Sequence, residues 1–262
     1  MSYRLPPPEV VRIFDAPPTP AAVLSPDRQT MLLVEYEAYP PIELLARPVL
    51  KLAGLRIDPA IGARQRTSRF TGITIVPVDG GPRRRVALPD GATIGVPVWS
   101  QDSAMFAFTR DLADGIELWV ADAATGEARP VPDVRVGDVL TGAFAWNPLI
   151  APDLRDVPAA PVDDAQGGRR LLVRLIPPER GLAPETPRVP SGPRIEETAG
   201  KHSQVATFQD LLDSEHDELL FEHYASTQLA LVDVESDAVS PIGAPGMIMA
   251  ARVSPDGGYL LV

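Results

Sequence analysis

The sequence predicts an all-β protein: a partial, open β-propeller of about three to four blades with short helical inserts. Three observations predict this fold. The 262 residues include 30 prolines and 20 glycines, and proline disfavours long helices because it removes a backbone donor. A Ser-Pro-Asp-like turn followed by a short apolar strand recurs along the chain. Hairpin signals accompany these turns, and about four strands repeated every 40 residues or more are typical of propeller blades.

The recurring turn occurs three times along the chain. It occurs in "VLSPDRQTMLLVEY" (23–36), "VWSQDSAMFAFTR" (98–110) and "VSPDGGYLLV" (253–262). Proline presets φ in such a turn, and Ser or Asp side chains bond to nearby backbone amides. The strand that follows is apolar at nearly every position, so we expect both of its faces to be buried.

Hairpins form the second element. Each consists of a strand, a short polar or glycine-containing turn and a second strand, as in a half-buried antiparallel pair. A β-sandwich would also contain many short strands, but the constant order of turn and hairpin favours the propeller. The segments with this pattern are Gly72–Leu88, Ile116–Val131 and Thr227–Gly243, together with Phe144–Pro148 paired with Arg169–Pro177 across an insert.

Two segments interrupt the strands with helical spacing. Pro41–Leu55 contains Pro48, so we expect only one or two short turns there. Thr207–Tyr224 is the stronger helix candidate, with Thr207 as its N-cap and Ser214 as a point where it could divide.

Composition excludes several functions. The net charge of −11 argues against nucleic acid as a partner, because phosphate binding needs a basic face. The absence of cysteine excludes disulfides and thiolate catalysis. No apolar run reaches the roughly 18 residues of a membrane helix, so we expect no membrane partner. The N-terminus lacks the apolar region of a signal peptide, which predicts a cytoplasmic chain, with a periplasmic or secreted parent as the alternative. We also expect a bacterial source.

Long, distinctive segments resemble a known family. They are "YRLPPPEVVRIFDAPPTPAAVLSPDR" (3–28), "LARPVLKLAGLRIDP" (45–59), "RVPSGPRI" (188–195) and "VATFQDLLDSEHDELLFEHYASTQLALVD" (205–233). They resemble the glutamyl endopeptidase branch of the prolyl oligopeptidase-type serine peptidases. Members of that family carry an N-terminal propeller followed by an α/β-hydrolase domain with a Ser-Asp-His triad. The resemblance implies that residues 1–262 are the N-terminal portion of a propeller domain, that the hydrolase domain is absent, and that the chain stops inside a blade.

The sequence holds no catalytic centre of this class. A hydrolase nucleophile lies in Gly-x-Ser-x-Gly, and no glycine here has serine two positions later. We predict no catalytic residue, no cofactor and no metal. The histidines are His202, His216 and His223; the last two lie about 10 Å apart on a straight helix, which is too far for easy joint ligation. We interpret them as exposed helix residues.

One basic segment, "ARQRTSRF" (63–70), suggests a substrate contact. A glutamate-selective peptidase must neutralise a carboxylate, and arginine binds carboxylates through a bidentate fork. We therefore select Arg64, Arg66 and Arg69 as candidate substrate-binding residues. The alternative is a solvated loop whose arginines pair with acids of the chain itself. Trp99, Trp119 and Trp146 lie in strand patterns and are interpreted as blade-core residues.

These observations lead to two functional hypotheses. The first is a non-catalytic propeller fragment of a serine peptidase, which gates peptide access to the hydrolase domain of its parent and is inactive alone. The alternative is a stand-alone propeller-like module that binds a partner protein. An open arc of blades exposes apolar faces and free strand edges, so we also expect the isolated chain to associate with itself.

Overall fold

The computed structural model describes residues 6–147, 169–187, 200, 208–253 and 259–262. Three features singled out from the sequence lie outside the described residues: His202, the proposed cap Thr207, and the turn of the last Ser-Pro-Asp segment (254–256). Within the described residues, no helix is long and apolar enough to cross a membrane.

The elements are mostly short strands, as the all-β prediction requires. The α-helices are α1 (Pro8–Phe14), α2 (Ile42–Leu45) and α3 (Glu215–Ala225). The strands are β1 (Ala21–Leu24), β2 (Thr30–Tyr36), β3 (Leu50–Leu52), β4 (Leu55–Asp58), β5 (Ala63–Arg64), β6 (Phe70–Pro77), β7 (Arg84–Arg85), β8 (Thr93–Ile94), β9 (Val98–Trp99), β10 (Met105–Asp111), β11 (Ile116–Asp122), β12 (Ala128–Arg135), β13 (Phe144–Asn147), β14 (Arg170–Leu175), β15 (Ser226–Asp233), β16 (Val239–Met247), β17 (Arg252–Val253) and β18 (Leu260–Leu261).

Strand pairing groups most strands into four-stranded antiparallel meanders. The first is β1-β2-β6-β7 and the second β9-β10-β11-β12; β8 pairs with both β6 and β10 and so joins these two into one nine-stranded sheet, while the third, β13-β14-β15-β16, is a sheet of its own. β17 and β18 form a further antiparallel pair. Three complete meanders and the start of a fourth confirm the prediction of a partial propeller of three to four blades.

The first two turns have the same hydrogen-bond pattern. The Ser25 hydroxyl donates to Asp27 Oδ1 (2.6 Å) and accepts from the Thr30 N–H (3.0 Å). In the second turn the Ser100 hydroxyl donates to Asp102 Oδ1 (2.6 Å) and accepts from the Met105 N–H (2.9 Å). The shared pattern explains why the motif recurs: each serine bridges the two ends of a turn that reverses the chain between two strands.

A left-handed residue completes each of these turns. Arg28 has φ of 61° in the first and Ser103 has φ of 59° in the second. The two turns also contact each other, because the Asp27 N–H donates to the Ser103 hydroxyl (3.1 Å). Trp99, which precedes the second turn, donates from its indole Nε1 to the Val23 carbonyl (3.1 Å).

The chain divides into two compact units. The first comprises residues 1–46, 66–110 and 119–129, and the second residues 47–65, 111–118 and 130–262. The core of the first unit is aromatic, with ring centroids 5.4 Å apart for Trp99 and Phe106, and 6.1 Å apart for Phe108 and Trp119. This confirms the core role predicted for Trp99 and Trp119, whereas Trp146 is half-buried.

The second unit has a core of its own. α3 packs there against the small sheet β3-β4-β5. The buried members of this core are Leu52, Ile57, Val139, Leu220, Tyr224 and Ala225.

The segment Pro41–Leu55 contains one short helical turn, as predicted, and then a hairpin that was not predicted. Helix occupies only α2, and the chain continues after Pro48 into the hairpin β3-β4. Leu52 pairs with Leu55, so Ala53 and Gly54 form a two-residue turn, with φ of 49° and 77°. Two consecutive left-handed residues are typical of a tight hairpin, and an alanine at such a position hides the signal because alanine rarely adopts positive φ.

The second helix is shorter than predicted. α3 begins after Ser214, whose hydroxyl accepts from the Asp217 N–H (3.2 Å). Ser214 is therefore the N-cap, and the break considered at this residue is where the helix starts. Asp210 has φ of 55°, a left-handed conformation that is incompatible with helix through Phe208.

The hairpin β11-β12 is less regular than the predicted half-buried pair. Leu118, Trp119, Val120 and Ala121 are all buried, so both faces of β11 are covered, while β12 is mostly exposed. Two-sided burial was instead predicted for the strands after the turns. β10 fits that prediction with four consecutive buried residues, but β2 does not, because only the alternate residues Leu32 and Val34 are buried in it.

Candidate functional site

Arg64 lies at the end of β5 in the second unit and contacts a neighbouring loop. Its Nε donates to the Val139 carbonyl (2.6 Å) and its Nη2 donates to the Leu140 carbonyl (2.8 Å). Its backbone N–H donates to Asp138 Oδ1 (3.3 Å). The fork of the guanidinium is thus directed at backbone oxygens beside the buried Val139, which is the arrangement of a residue that fixes a loop.

Arg66 and Arg69 lie in the first unit, just before β6. Arg69 donates from Nε and Nη2 to the Thr93 hydroxyl (3.2 and 3.1 Å). Its Nη1 lies 3.2 Å from a Glu37 carboxylate oxygen, and Glu37 in turn donates its backbone N–H to the Arg69 carbonyl. The charge of Arg69 is thus paired with an acid of the same chain. Arg66 is half-buried in the extended segment between β5 and β6.

The three arginines therefore differ in what they contact. Arg64 is engaged with backbone carbonyls and Arg69 with a carboxylate, so both would have to exchange existing partners to bind a substrate. They also belong to different compact units. The role of all three as substrate-binding residues stays a prediction.

A fourth arginine, which sequence reasoning missed, lies inside the second unit. Arg180 ends a short 3-10 turn (Pro178–Arg180), and its guanidinium lies over the ring of Tyr224, 5.9 Å from the centroid. A Cβ added at Gly62 would lie 3.3 Å from Arg180 Nη2, so the absence of a side chain at Gly62 allows this close approach. Burial lowers the pKa of Arg180, and its Nη1 is buried without a hydrogen-bond partner.

Titratable groups surround this cation. The ring of His223 packs edge-to-face on Tyr224, with centroids 4.9 Å apart. Burial, and secondly the charge of Arg180, lowers the pKa of His223. Burial raises the pKa of Tyr224, so its hydroxyl stays protonated. Arg180 Nη1 is shielded from solvent and has no hydrogen-bond partner, so its burial costs stability, and the contact of the guanidinium with the Tyr224 ring offsets only part of this cost. His223 and His216 are both half-buried, rather than exposed as predicted.

Asp58 is the buried acid of the second unit. It is 4% exposed, and its Oδ2 accepts from Arg47 Nη1 (3.2 Å) while its Oδ1 accepts from the Ala60 N–H (3.0 Å). Nothing in the local sequence "RIDP" distinguishes it from a surface acid, because its burial depends on the hairpin that the sequence pattern did not indicate. Among the described residues, no group of three or more His, Asp or Glu side chains is arranged to hold a metal ion.

The meanders and their repeated Ser-x-Asp turns define the class of protein: the described part of the chain is a section of a β-propeller. Comparison with known proteins gives the particular relatives. The chain is 38% identical over 277 residues to a probable chloroplastic glutamyl endopeptidase of Oryza sativa subsp. japonica. It is also 38% identical over 274 residues to the protein of the same description from Arabidopsis thaliana.

These relatives confirm the resemblance seen in the sequence. The matches cover 100% and 99% of this chain, but only 27% and 26% of the relatives, so the chain spans about a quarter of their length. It is similar to their N-terminal part. Both relatives are plant proteins, and the expectation of a bacterial source is not supported. No protein-family model matches the chain.

Solved structures show only remote likeness. An acylaminoacyl peptidase of Pyrococcus horikoshii aligns with a TM-score of 0.42 and 13% identity, over 92% of this chain and 27% of that one. The tricorn protease aligns with a TM-score of 0.36 and 10% identity, over 90% and 19%. Likeness at this level carries no functional argument.

Proposed function

We propose that this chain is the non-catalytic N-terminal portion of a propeller domain in a serine peptidase similar to glutamyl endopeptidases. Its role is to restrict access to an α/β-hydrolase domain that lies outside these 262 residues, so that peptides enter and folded proteins do not. The observation that carries the proposal is the 38% identity along the entire chain to the N-terminal part of the relatives. The lack of Gly-x-Ser-x-Gly in the sequence agrees with a steric role.

A chimera tests this role. The chain would replace the matching N-terminal part of the rice relative, and hydrolysis of a short glutamate-containing peptide and of a stably folded protein would be measured. The proposal predicts peptide hydrolysis at a rate similar to that of the parent, and resistance of the folded protein. A rice variant that lacks the matched part is the control, and should lose this selectivity. A chimera that degrades folded protein as fast as peptide would contradict the gating role.

The second part of the proposal concerns the substrate. Peptides with acidic side chains would contact Arg64, Arg66 or Arg69, because a guanidinium binds a carboxylate in a bidentate manner. Each arginine is changed to alanine in the chimera, and cleavage after Glu is compared with cleavage after Ala. Loss of selectivity in one variant supports the role, and unchanged selectivity in all three ends it. Arg84→Ala is a matched control in the same unit as Arg66 and Arg69, since Arg84 donates to the Ala124 carbonyl.

Location and association belong to the same proposal. We place the chain as given in the cytoplasm, whereas the plant relatives are described as chloroplastic.

Its partners would be peptide substrates and the hydrolase domain of the parent, and the isolated chain would associate with itself through unpaired strand edges. Size-exclusion chromatography that gives one stable monomer at all concentrations would count against this association. Two findings together would favour the binding-module hypothesis. The chain would bind a partner protein, and its reading frame would not continue into a hydrolase domain.

A further inference from the structure

Three aspartate-glycine pairs lie within the described residues, at positions 79–80, 90–91 and 114–115. Glycine has no Cβ to hinder the approach of the preceding carboxyl group to its amide nitrogen, so an aspartate before glycine can cyclise onto the main chain. All three aspartates are exposed, so exposure of the acid does not distinguish the pairs. They differ in what the reacting atoms contact.

The reacting groups of Asp90 and Gly91 are free. The two residues form the centre of a turn that is closed by a hydrogen bond from the Ala92 N–H to the Pro89 carbonyl (3.1 Å). In the part of the chain that the structure describes, neither the Asp90 carboxylate nor the Gly91 N–H has a hydrogen-bond partner. Gly91 is exposed, and a Cβ built on it would meet no atom within 4 Å. The space that a new ring needs at this position is therefore open.

The pair Asp79 and Gly80 is held by two hydrogen bonds. Asp79 Oδ1 accepts from the Gly81 N–H (3.0 Å), and the Gly80 N–H donates to the Pro77 carbonyl (3.2 Å). Both bonds must break before the carboxyl carbon of Asp79 can meet the Gly80 nitrogen. Because breaking them costs free energy in the folded chain, this pair should cyclise more slowly.

The pair Asp114 and Gly115 is restricted by burial. Gly115 is buried, and a Cβ added to it would lie 3.6 Å from Cδ of Arg135. The Gly115 carbonyl also accepts from the Leu112 N–H (2.8 Å), which closes the turn. The Gly115 nitrogen is thus shielded from the water that must remove its proton, and the turn has little room to rearrange.

We propose that Asp90 is a site of spontaneous modification, at which aspartate rearranges to isoaspartate through a cyclic imide. The Gly91 nitrogen attacks Cγ of the uncharged carboxyl form of Asp90. A nitrogen–carbon bond forms, the Cγ–OH bond breaks, and the hydroxyl group leaves with the amide proton as water. Water then adds back to the ring. Attack at Cγ restores aspartate, whereas attack at the main-chain carbonyl carbon of Asp90 breaks its bond to the Gly91 nitrogen and leaves the chain running through the side chain.

The product changes the turn that precedes β8. Isoaspartate adds one carbon atom to the main chain between Pro89 and Ala92. Ala92 and Ile94 are 6% and 2% exposed in the core of the first unit, and β8 joins β6 to β10. A longer turn displaces these two residues from their packing, so the modified chain should be less stable than the unmodified one.

Peptide mapping of the aged chain tests the site. The purified 262-residue chain is kept for weeks in neutral buffer and then digested with trypsin, and a protein isoaspartate methyltransferase transfers a labelled methyl group to each isoaspartyl carboxylate. Cleavage after arginine places the three pairs on separate peptides, 70–83, 86–110 and 111–135. We expect about tenfold more label on 86–110 than on 70–83, because two hydrogen bonds oppose the reaction at Asp79. Asp256-Gly257 falls on 253–262, lies outside the described residues and is not compared.

The unfolded chain is the control for the effect of structure. In concentrated urea the contacts that distinguish the three pairs are absent, so the three peptides should carry similar label. Equal label on the three peptides of the folded chain would overturn the inference. So would a folded chain that carries more label on 70–83 or 111–135, or none on 86–110.

Substitution assigns the label to one residue. Asp90→Glu prevents the reaction at this pair, because a longer side chain would have to close a larger ring that forms much more slowly. Aged D90E should carry no label on 86–110 and should unfold at a higher temperature than the aged wild type. Asp79→Glu is the matched control and should leave the label on 86–110 unchanged.

Two further results would contradict the proposal. Label that persists on 86–110 in D90E would place the modification at Asp102, the other aspartate of that peptide. Equal unfolding temperatures for the aged wild type and aged D90E would show that the core beside β8 is not displaced. Because the reaction needs only water, neither result bears on the proposed peptidase role.

Discussion

The two compact units differ in what they bury. Among the described residues, the buried polar side chains of the first unit are hydroxyls: Ser25, Ser100 and Thr109. The second unit buries one hydroxyl, that of Thr227, but also Asp58, Arg170 and Arg174, which are 4%, 8% and 7% exposed. Both units have an apolar core, and the second also buries charges that must be matched.

The buried arginines illustrate the cost of burying charges. Arg174 donates from Nη1 to the Gly142 carbonyl (2.9 Å), and burial lowers its pKa. Its Nε remains buried without a partner. The Nε of Arg170 lies 3.8 Å from Asp233 Oδ2. Burial alone would raise the pKa of Asp233, but hydrogen bonds from Ser236 and Glu235 and the charge of Arg170 lower it. The ionised carboxylate is thus held in place to balance the arginine.

The largest effect is expected in the aromatic core. Phe108→Ala removes a fully buried ring that stacks between Phe106 and Trp119, and should lower the free energy of unfolding by about 3–5 kcal/mol. Urea denaturation followed by tryptophan fluorescence measures this loss. Phe208→Ala removes a ring that is 72% exposed, and should change stability by less than about 0.5 kcal/mol. Equal losses in both variants would show that the first unit is not built on this core.

Charge removal in the second unit should come next. Asp58→Ala deletes a buried acceptor of two hydrogen bonds and should cost about 1–3 kcal/mol. Arg47→Ala leaves the buried Asp58 carboxylate without its counter-charge and should cost more, about 3 kcal/mol, because an unpaired buried charge keeps its full desolvation cost. Thermal unfolding of both variants measures the asymmetry. A smaller cost for Arg47→Ala than for Asp58→Ala would mean that the buried carboxylate does not need this partner.

The repeated turns should give smaller and equal effects. Ser25→Ala and Ser100→Ala each remove a hydroxyl that donates once and accepts at least once, and each should cost about 1–2 kcal/mol. Ser103→Ala removes only the bond from the Asp27 N–H among these contacts, and should cost less. Chemical denaturation of the three variants makes the comparison. A much larger loss for one serine than for the other would show that the two turns are not equivalent.

The smallest effect concerns pH in the second unit. The pKa of His223 in the folded chain lies below its ordinary value of about 6.5, so protons bind more tightly to the unfolded state. Stability is therefore fully present above about pH 6.5 and decreases as the pH falls through that value towards the folded pKa. His223→Gln should make the midpoint temperature of unfolding depend less on pH, when it is measured between pH 7.5 and 5. His216→Gln, on the same helix, is the control, and an equal flattening there would exclude His223 as the source.

The elements that the sequence predicts well share one property: their signal is local. In each Ser-x-Asp turn the bonds of the first serine hydroxyl to the Asp carboxylate and to the next strand lie within six residues, so they can be read from "LSPDRQT" or "WSQDSAM". The hairpin turn after β15 is equally local, because Asp233 Oδ1 accepts from the N–H groups of Glu235 and Ser236. The strands predicted on either side of these turns are therefore found at the predicted positions.

The missed features depend on contacts between distant parts of the chain. Arg180 reaches Tyr224 across 44 residues of sequence, and Arg64 reaches Val139 across 75. The β3-β4 hairpin was missed because its turn places an alanine at positive φ. The partners of the three candidate arginines likewise could not be anticipated, because a basic loop has the same composition whether it binds a substrate or fixes its own fold.

Activity of the isolated chain shows whether this propeller section acts only as a steric barrier. The purified 262-residue chain would be incubated with a fluorogenic glutamate-containing peptide and, separately, with a fluorophosphonate probe that labels activated serines. We expect no hydrolysis above buffer and no labelled serine, while the rice chimera that contains this chain hydrolyses the peptide and is labelled. Hydrolysis by the chain alone, with the probe bound covalently to one of its own serines, would contradict a purely steric role.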